Sequence, residues 1–89
     1  MPSQTATIKN TLGLHLRAAS KLVRLAQEYD SEIYFLKDNI KANGKSMLGI
    51  VTLGAICGST LEIITEGHDA QELLNAVIKL IERNFDEEV

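Results

Sequence analysis

The residue with the clearest chemical signature is His15, which follows a glycine-containing loop and stands directly before a predicted helix. Unpaired backbone N–H groups and the helix dipole favour an anion at such a helix start, and Arg17 can reach toward the same point. Both oppose protonation of the imidazole, which leaves the neutral, nucleophilic ring, and both would stabilise a phosphoryl group added to it. The pattern Gly13-Leu14-His15-Leu16-Arg17 therefore predicts a phosphohistidine site. The alternative is a histidine that only caps the helix.

A second candidate, Ser46, opens a short apolar segment that ends at Gly54. A serine in this position is typical of a helix N-cap, whose hydroxyl bonds the backbone of the first turn. That structural role alone accounts for the serine. The functional alternative is regulatory phosphorylation, since a phosphate adds about −1.5 to −2 charges and is tolerated at a helix N-terminus. It would change the sign of the surface without disturbing the fold.

The other chemistry-bearing residues have structural explanations. Cys57 is expected to be a small core residue, and His68 a loop residue before the helix cap Asp69. Because His68 is the only other histidine and no Cys or acid stands at ligand spacing, we predict no metal site and no cofactor. Glu62 and Glu66 are expected to be solvated on an outer strand face. The sequence contains no Ser-His-Asp order, P-loop or glycine-rich dinucleotide motif.

The elements that must position these residues follow from hydrophobic periodicity, which predicts the order β-α-β-β-α-β-α. Apolar alternation and β-branched content predict strands at residues 4–9, 32–37, 40–43 and 60–66. The helical period predicts helices at 16–28, at 47–53, and from a capping box of Asp69 and Glu72 to about Phe85. The final DEEV is expected to fray. The fold class is α+β: a two-layer open-faced sandwich with a four-stranded, mainly antiparallel sheet and three helices on one face.

Two of the helices are predicted to present functional surfaces. The buried face of the first comprises Ala18, Leu22, Leu25, Ala26 and Tyr29. A basic stripe on its opposite side comprises Arg17, Lys21 and Arg24, whereas Leu16 belongs to neither face. The short helix places Met47, Leu48 and Val51 on one side and Ile50 and Leu53 on the other. A helix this short cannot bury both sides, so one is expected to form an exposed apolar docking patch; the alternative is a segment that is simply well buried.

The composition fits one small domain, residues 1–89, with 45% apolar and 24% charged residues. Residues 1–45 carry a charge of +3 and residues 46–89 a charge of −6, within a net −3. A locally positive surface suits an acidic protein partner, whereas the net charge and the absence of Trp argue against nucleic-acid binding. The apolar stretches are too short for membrane insertion. A single cysteine fits a reducing compartment, and we expect a cytoplasmic monomer.

The chain resembles the HPr family, the histidine-containing phosphocarriers of the bacterial phosphoenolpyruvate-dependent sugar phosphotransferase system. The resemblance covers essentially the whole chain. It rests on two motifs at the family's separation: Gly-Leu-His-Leu-Arg-Ala-Ala at residues 13–19 and Asn-Gly-Lys-Ser-Met-Leu-Gly at residues 43–49, followed by Leu53-Gly54. It implies a covalent carrier rather than a turnover enzyme. His15 would take a phosphoryl group on Nδ1 from phosphorylated enzyme I and pass it to a histidine of an enzyme II A-type domain, with Arg17 stabilising the group.

The resemblance also implies a docking face and a regulatory site. The docking face comprises Ser20, Arg24, Gln27, Met47, Leu48, Val51 and Gly54, and we add Lys21 of the basic stripe and Leu16 beside His15. Ser46 is the implied substrate of an HPr kinase/phosphorylase, where one exists.

Two residues depart from the family's pattern. Ala18 replaces a proline, which a strong helix former can do in the first turn. Leu16 replaces a small residue or threonine, and we expect it to affect the choice of partner. The alternatives to a sugar-uptake carrier are a regulatory, nitrogen-branch phosphocarrier without sugar uptake, and an interaction module switched at Ser46. An RNA-binding module ranks lower, because Glu62 and Glu66 occupy the sheet face where aromatic and basic residues would be needed.

Overall fold

The computed structural model describes residues 1–87 and has the predicted order of elements. The strands are β1 (Ser3–Thr7), β2 (Glu32–Lys37), β3 (Ile40–Asn43) and β4 (Thr60–Glu66). The α-helices are α1 (Leu16–Ala26), α2 (Met47–Thr52) and α3 (Ala70–Glu82), and a short 3-10 helix, Asn84–Asp86, follows them. β2, β3 and β4 have the predicted bounds. β1 begins one residue earlier than predicted, and β1, α1, α2 and α3 all end earlier than predicted. Within residues 1–87, no helix is long and apolar enough to cross a bilayer.

The sheet is antiparallel throughout, with the strand order β1-β4-β2-β3. β4 therefore lies between β1 and β2, although it is the last strand in the sequence. The register pairs Ile63 of β4 with Phe35 of β2, and both side chains are fully buried. Glu62 and Glu66 alternate to the outer face and are exposed, as predicted. The helices cover the other face, which confirms the open-faced sandwich.

The helices bury the faces that their periodicity indicates, with one shift. In α1 the buried residues are Ala18, Ala19, Leu22, Val23 and Ala26. Leu25 and Tyr29, which we predicted on this face, are half-buried at its edge, because the face is rotated toward Ala19 and Val23. In α3 the predicted core positions Leu74, Val77, Ile78 and Ile81 are all buried.

The predicted capping box at Asp69 is wrong. The Asp69 side chain makes no hydrogen bond to the first turn of α3. Its carboxylate instead accepts hydrogen bonds from the backbone N–H groups of Asp30 (3.0 Å) and Ser31 (2.9 Å) and from the Ser31 hydroxyl. These bonds join the loop before β2 to the loop before α3. They also lower the pKa of Asp69 to about 2, chiefly through the Ser31 hydroxyl.

The same cluster contains His68, whose Nε2 lies 2.9 Å from Asp30 Oδ2. This contact raises the pKa of His68 above its ordinary value. The ligand atoms of Asp30, His68 and Asp69 all lie within 4.8 Å of one another. The fold thus brings two acids to His68 that have no ligand spacing in the sequence. All three side chains already make hydrogen bonds, His68 with Asp30, and Asp69 with Ser31 and the backbone of Asp30.

Stability in acid is expected to depend on Asp69. Because its folded-state pKa lies below the unfolded value of 3.8, its contribution is present above about pH 4 and is lost as the pH falls through about 2. Asp69→Asn should therefore lower the free energy of unfolding at pH 7, and the difference from the wild type should shrink steadily below pH 4. Urea unfolding between pH 2 and pH 7 measures this. The matched control is Glu72→Gln, an exposed acid in the first turn of α3. A pH-independent difference for Asp69→Asn would contradict the assignment.

Cys57 is exposed, which corrects the prediction that it lies in the core. It follows Ala55 and Ile56 in the loop between α2 and β4, and in this loop Ala55 is the residue that turns inward. The Cys57 thiol lies against the backbone oxygen of Lys9 at 3.5 Å. Alanine and cysteine are both small apolar residues, so residue type alone could not show which of Ala55 and Cys57 is buried.

Candidate active site

His15 is the N-cap residue of α1, as its place in the sequence predicted. Its backbone is extended, and its Nδ1 accepts a hydrogen bond from the backbone N–H of Arg17 at 3.2 Å. A neutral imidazole carries one ring proton, so with Nδ1 as the acceptor the proton lies on Nε2. The atom that caps the helix is therefore the ring nitrogen without a proton, and it lies at the helix start, where free N–H groups concentrate positive charge.

The loop that carries His15 is held against residues 55–56. The Leu14 N–H donates to the Ala55 oxygen at 2.8 Å, and Gly13 has a φ of +68°. A Cβ on Gly13 would lie 2.5 Å from the Ala55 oxygen and 2.8 Å from Ile56 Cα. Glycine is required here both for its conformation and for this close approach.

The second ring nitrogen of His15 contacts a carboxylate from the other end of the chain. Nε2 lies 2.7 Å from Glu87 Oε1, and because it carries the ring proton it donates to that oxygen. Nothing in the sequence around His15 points to this partner, which is 72 positions away and belongs to no local motif. The expectation that the terminal DEEV frays is wrong for Asp86 and Glu87; Glu88 and Val89 lie outside the described residues.

Glu87 reaches His15 because the chain turns sharply after α3. Asn84, Phe85 and Asp86 have φ values of +54°, +57° and +57°, so the helix predicted to extend to Phe85 stops earlier. Phe85 is nevertheless fully buried, as the periodicity predicted. Lys21 Nζ donates to the Phe85 oxygen at 2.5 Å. Arg83 Nε donates to Asp86 at 2.8 Å, which lowers the pKa of that carboxyl below its usual value.

An open cavity of about 670 Å³ lies beside the histidine. It is lined by Leu12, His15, Arg17, Lys21, Asp86 and Glu87. Arg17 is exposed and Lys21 is half-buried, while Arg24 continues the basic stripe in solvent. The side of the cavity formed by α1 is therefore cationic, and the side formed by Asp86 and Glu87 is anionic. Nδ1 of His15, at the start of α1, lies between them.

The PTS-HPr family model, described as "PTS HPr component phosphorylation site", matches residues 2–83. The chain belongs to the HPr family of phosphocarrier proteins. The phosphocarrier protein HPr of Treponema pallidum is 38% identical over 88 residues, which cover 99% of this chain and 100% of that one. The phosphocarrier protein NPr of Shewanella violacea is 43% identical over 81 residues, 91% and 89% of the two chains. The crystal structure of HPr-C-His from Thermoanaerobacter tengcongensis has a TM-score of 0.95 and 42% identity, with both chains covered completely.

The HPr motif around Ser46 forms the predicted N-cap. Ser46 Oγ accepts a hydrogen bond from the Gly49 N–H at 3.1 Å at the start of α2. The side chain is half-exposed, and Gly54 has the left-handed φ of +64° just after the helix end. The capping role is thus confirmed.

The residues predicted to form a docking face lie on α1 and α2 or directly after them, and the two helices pack against each other. Ile50 and Leu53 are buried, whereas Leu48 is 79% exposed, so α2 has one buried and one open side. Met47, Val51, Ser20 and Lys21 are half-buried, and Leu16, Arg24, Gln27 and Gly54 are exposed. Two further exposed apolar residues that periodicity did not predict, Leu12 and Ile56, lie in the loops beside His15. We call Leu12, Leu16, Leu48 and Ile56 the apolar rim.

Proposed function

We propose that this chain carries a phosphoryl group on Nδ1 of His15 between two proteins. It accepts the group from phosphorylated enzyme I and delivers it to a histidine of an enzyme II A-type domain. The observation that carries the proposal is the pair of contacts on the ring, Arg17 N–H to Nδ1 and Nε2 to Glu87. Together they leave the nucleophilic nitrogen at the positive end of α1. We further propose that a monomer does this in the cytoplasm, a reducing compartment that the free thiol of Cys57 fits.

In the accepting step the Nδ1 lone pair gives up its hydrogen bond from the Arg17 N–H and attacks phosphorus, and the released N–H can donate to a phosphoryl oxygen instead. The P–N bond of the donor phosphohistidine breaks, and its electron pair returns to the donor ring. Nε2 keeps its proton throughout, so no proton is transferred. The phosphorylated ring of His15 gains positive charge, which the carboxylate of Glu87 stabilises. The N–H groups at the start of α1 and the guanidinium of Arg17 stabilise the phosphoryl oxygens. Delivery reverses these steps on the acceptor histidine.

The experiment that tests this function is incubation with enzyme I, magnesium and phosphoenolpyruvate. Intact mass should rise by one phosphoryl group, and the adduct should be labile in acid and stable in base. Correlation of ³¹P with the ring ¹⁵N signals should place the group on Nδ1 of His15. A base-labile adduct, an adduct on another residue, or no adduct with an enzyme I that phosphorylates a control carrier would overturn the proposal.

The partners are proposed to dock through the apolar rim and the basic stripe. Leu48→Glu should lower the rate of phosphorylation by enzyme I about tenfold through weaker binding, since exposed apolar anchors dominate such interfaces. The matched control is Ile40→Glu, because Ile40 is also a large exposed residue (49%) but lies on the edge strand β3. Steady-state KM and kcat for each variant measure the effect. Equal losses in both variants would show that the rim has no special role.

Ser46 is proposed as a regulatory phosphorylation site for an HPr kinase/phosphorylase. An acidic group at Ser46 keeps the acceptor for the Gly49 N–H and adds negative charge beside the docking side of α2. Ser46→Asp should therefore slow phosphorylation of His15 while leaving the thermal midpoint nearly unchanged. Ser46→Asn is the control, because it also caps the helix but adds no charge. A slow Ser46→Asn, or a destabilised Ser46→Asp, would assign the serine to capping alone.

A second candidate is the regulatory, nitrogen-related branch without sugar uptake. It is favoured by Leu16, the departure beside His15, and by the 43% identity with an NPr. The two branches differ in the acceptor. Transfer from the phosphorylated chain to enzyme II A domains of each branch, measured as relative kcat/KM, distinguishes them.

A further inference from the structure

Asn10 is a buried polar residue next to the proposed phosphoryl acceptor that the chemistry above does not use. It lies five positions before His15 and is only 1% exposed. Its Nδ2 donates two hydrogen bonds, one to the Gly13 oxygen at 2.8 Å and one to Glu87 Oε1 at 3.0 Å. The same Oε1 accepts from His15 Nε2 at 2.7 Å. Three side chains thus form one chain of hydrogen bonds from the interior to the imidazole.

The chemistry of these contacts fixes the orientation of the Asn10 amide. The reversed amide would turn Oδ1 toward two acceptors, the Gly13 oxygen and the carboxylate of Glu87, and would lose both bonds. In the observed orientation Oδ1 is buried and has no hydrogen-bond partner among residues 1–87. A buried unpaired oxygen is costly, so the two N–H bonds must compensate for it. The bond from Nδ2 to the Gly13 oxygen is enough to close the loop between Asn10 and Gly13. The second N–H of the same amide donates to Glu87 instead.

We infer that Asn10 is a positioning residue for His15 and acts through Glu87. Its N–H holds Oε1 of a carboxylate whose side chain is only 12% exposed, and that oxygen holds the ring proton on Nε2. The Arg17 N–H at Nδ1 selects the same tautomer from the other side of the ring. Without Asn10 the Glu87 side chain can adopt other rotamers and no longer holds the His15 ring in one orientation. The Nδ1 lone pair then faces the incoming phosphoryl group for a smaller fraction of the time.

The inference rests on the proposed phosphorylation of His15, and its test separates the two. Asn10→Ala should slow phosphorylation by enzyme I about tenfold, as the loss of other orienting side chains does. The ¹⁵N shifts of Nδ1 and Nε2 should move toward each other, because both tautomers become populated. Asn75→Ala, an exposed asparagine on α3, is the control and should change neither readout. A structural role alone would lower the free energy of unfolding without moving the ring shifts.

A double-mutant cycle tests whether Asn10 acts through Glu87. Glu87→Ala should reproduce the ring shifts of Asn10→Ala, and the double variant should be no slower than Glu87→Ala alone. Glu87→Gln keeps an Oε1 that accepts from both partners and should retain the wild-type ring shifts. If Asn10→Ala does not fold, unchanged ring shifts in Glu87→Ala still overturn the inference, as do additive losses in the double variant. Absence of any adduct in the wild type overturns the proposed function instead.

Discussion

His15→Asn should abolish the acid-labile phosphoryl adduct while leaving the fold intact. Asparagine is a favourable N-cap residue, so it can replace Nδ1 as the acceptor for the Arg17 N–H at the start of α1. It has no imidazole lone pair that can attack phosphorus. The substitution therefore separates capping from chemistry, which share one atom in the native chain. Intact mass after incubation with enzyme I and phosphoenolpyruvate gives the first readout, and the thermal midpoint gives the second.

The chain offers a matched control in its only other histidine. His68→Asn removes an imidazole from an exposed loop, where it contacts Asp30 rather than a helix start. This variant should accept a phosphoryl group as the wild type does. A full adduct on His15→Asn, or its loss from His68→Asn, would contradict the assignment of the acceptor. A large fall in the midpoint of His15→Asn would show that its imidazole is needed for folding as well.

Gly13→Ala should destabilise the chain by about 3 kcal/mol, the sum of a left-handed φ for a residue with a Cβ and of overpacking against backbone. The new Cβ would lie 2.5 Å from the Ala55 oxygen and 2.8 Å from Ile56 Cα, and neither atom belongs to a side chain that can rotate away. The loop must therefore leave residues 55–56 and carry His15 with it. Urea unfolding measures the loss.

Gly54→Ala is the control for the conformational part of this loss. Gly54 has a similar φ, +64°, but among residues 1–87 no atom outside Gly54 and its two chain neighbours lies within 4 Å of the position its Cβ would take. It should lose only about 1 kcal/mol, the cost of the left-handed conformation itself. Similar losses at Gly13 and Gly54 would mean that the close approach to residues 55–56 adds nothing.

Local patterns predicted most of the fold. The alternation of β4 and the apolar run of β2 gave their bounds to the residue, because a strand's side-chain period is read directly from neighbours. The end of α3 was not predictable in this way. Phe85 fits the helical spacing from Ile81, and it is indeed buried, but a left-handed turn buries it as well as a helix would. Asn84 and Asp86 are residue types that tolerate left-handed φ values. Their presence was the feature of the sequence that could have predicted the turn.

The same difference between local and distant contacts applies to the candidate site. His15, the Arg17 backbone N–H and the Ser46 cap lie within a few residues of their partners, so motif and helix geometry were enough to predict them. Glu87 and Asn10 contact each other across 77 positions, and no period or motif connects them. The prediction that Asp69 caps α3 was wrong for a related reason. The sequence predicted a local cap, whereas the carboxylate found better donors in the distant segment at Ser31.

The central place of β4 has a consequence for the order in which the molecule assembles. β1 and β2 both pair with a strand that begins at Thr60, so the sheet cannot close until two thirds of the chain is available. The loop of His15 needs Ala55 beside it, and the imidazole needs Glu87. A chain still emerging from the ribosome therefore exposes the histidine without its ring orientation or its neighbouring carboxylate. The full rate of the proposed phosphoryl transfer to His15 should therefore be reached only after synthesis has passed Glu87.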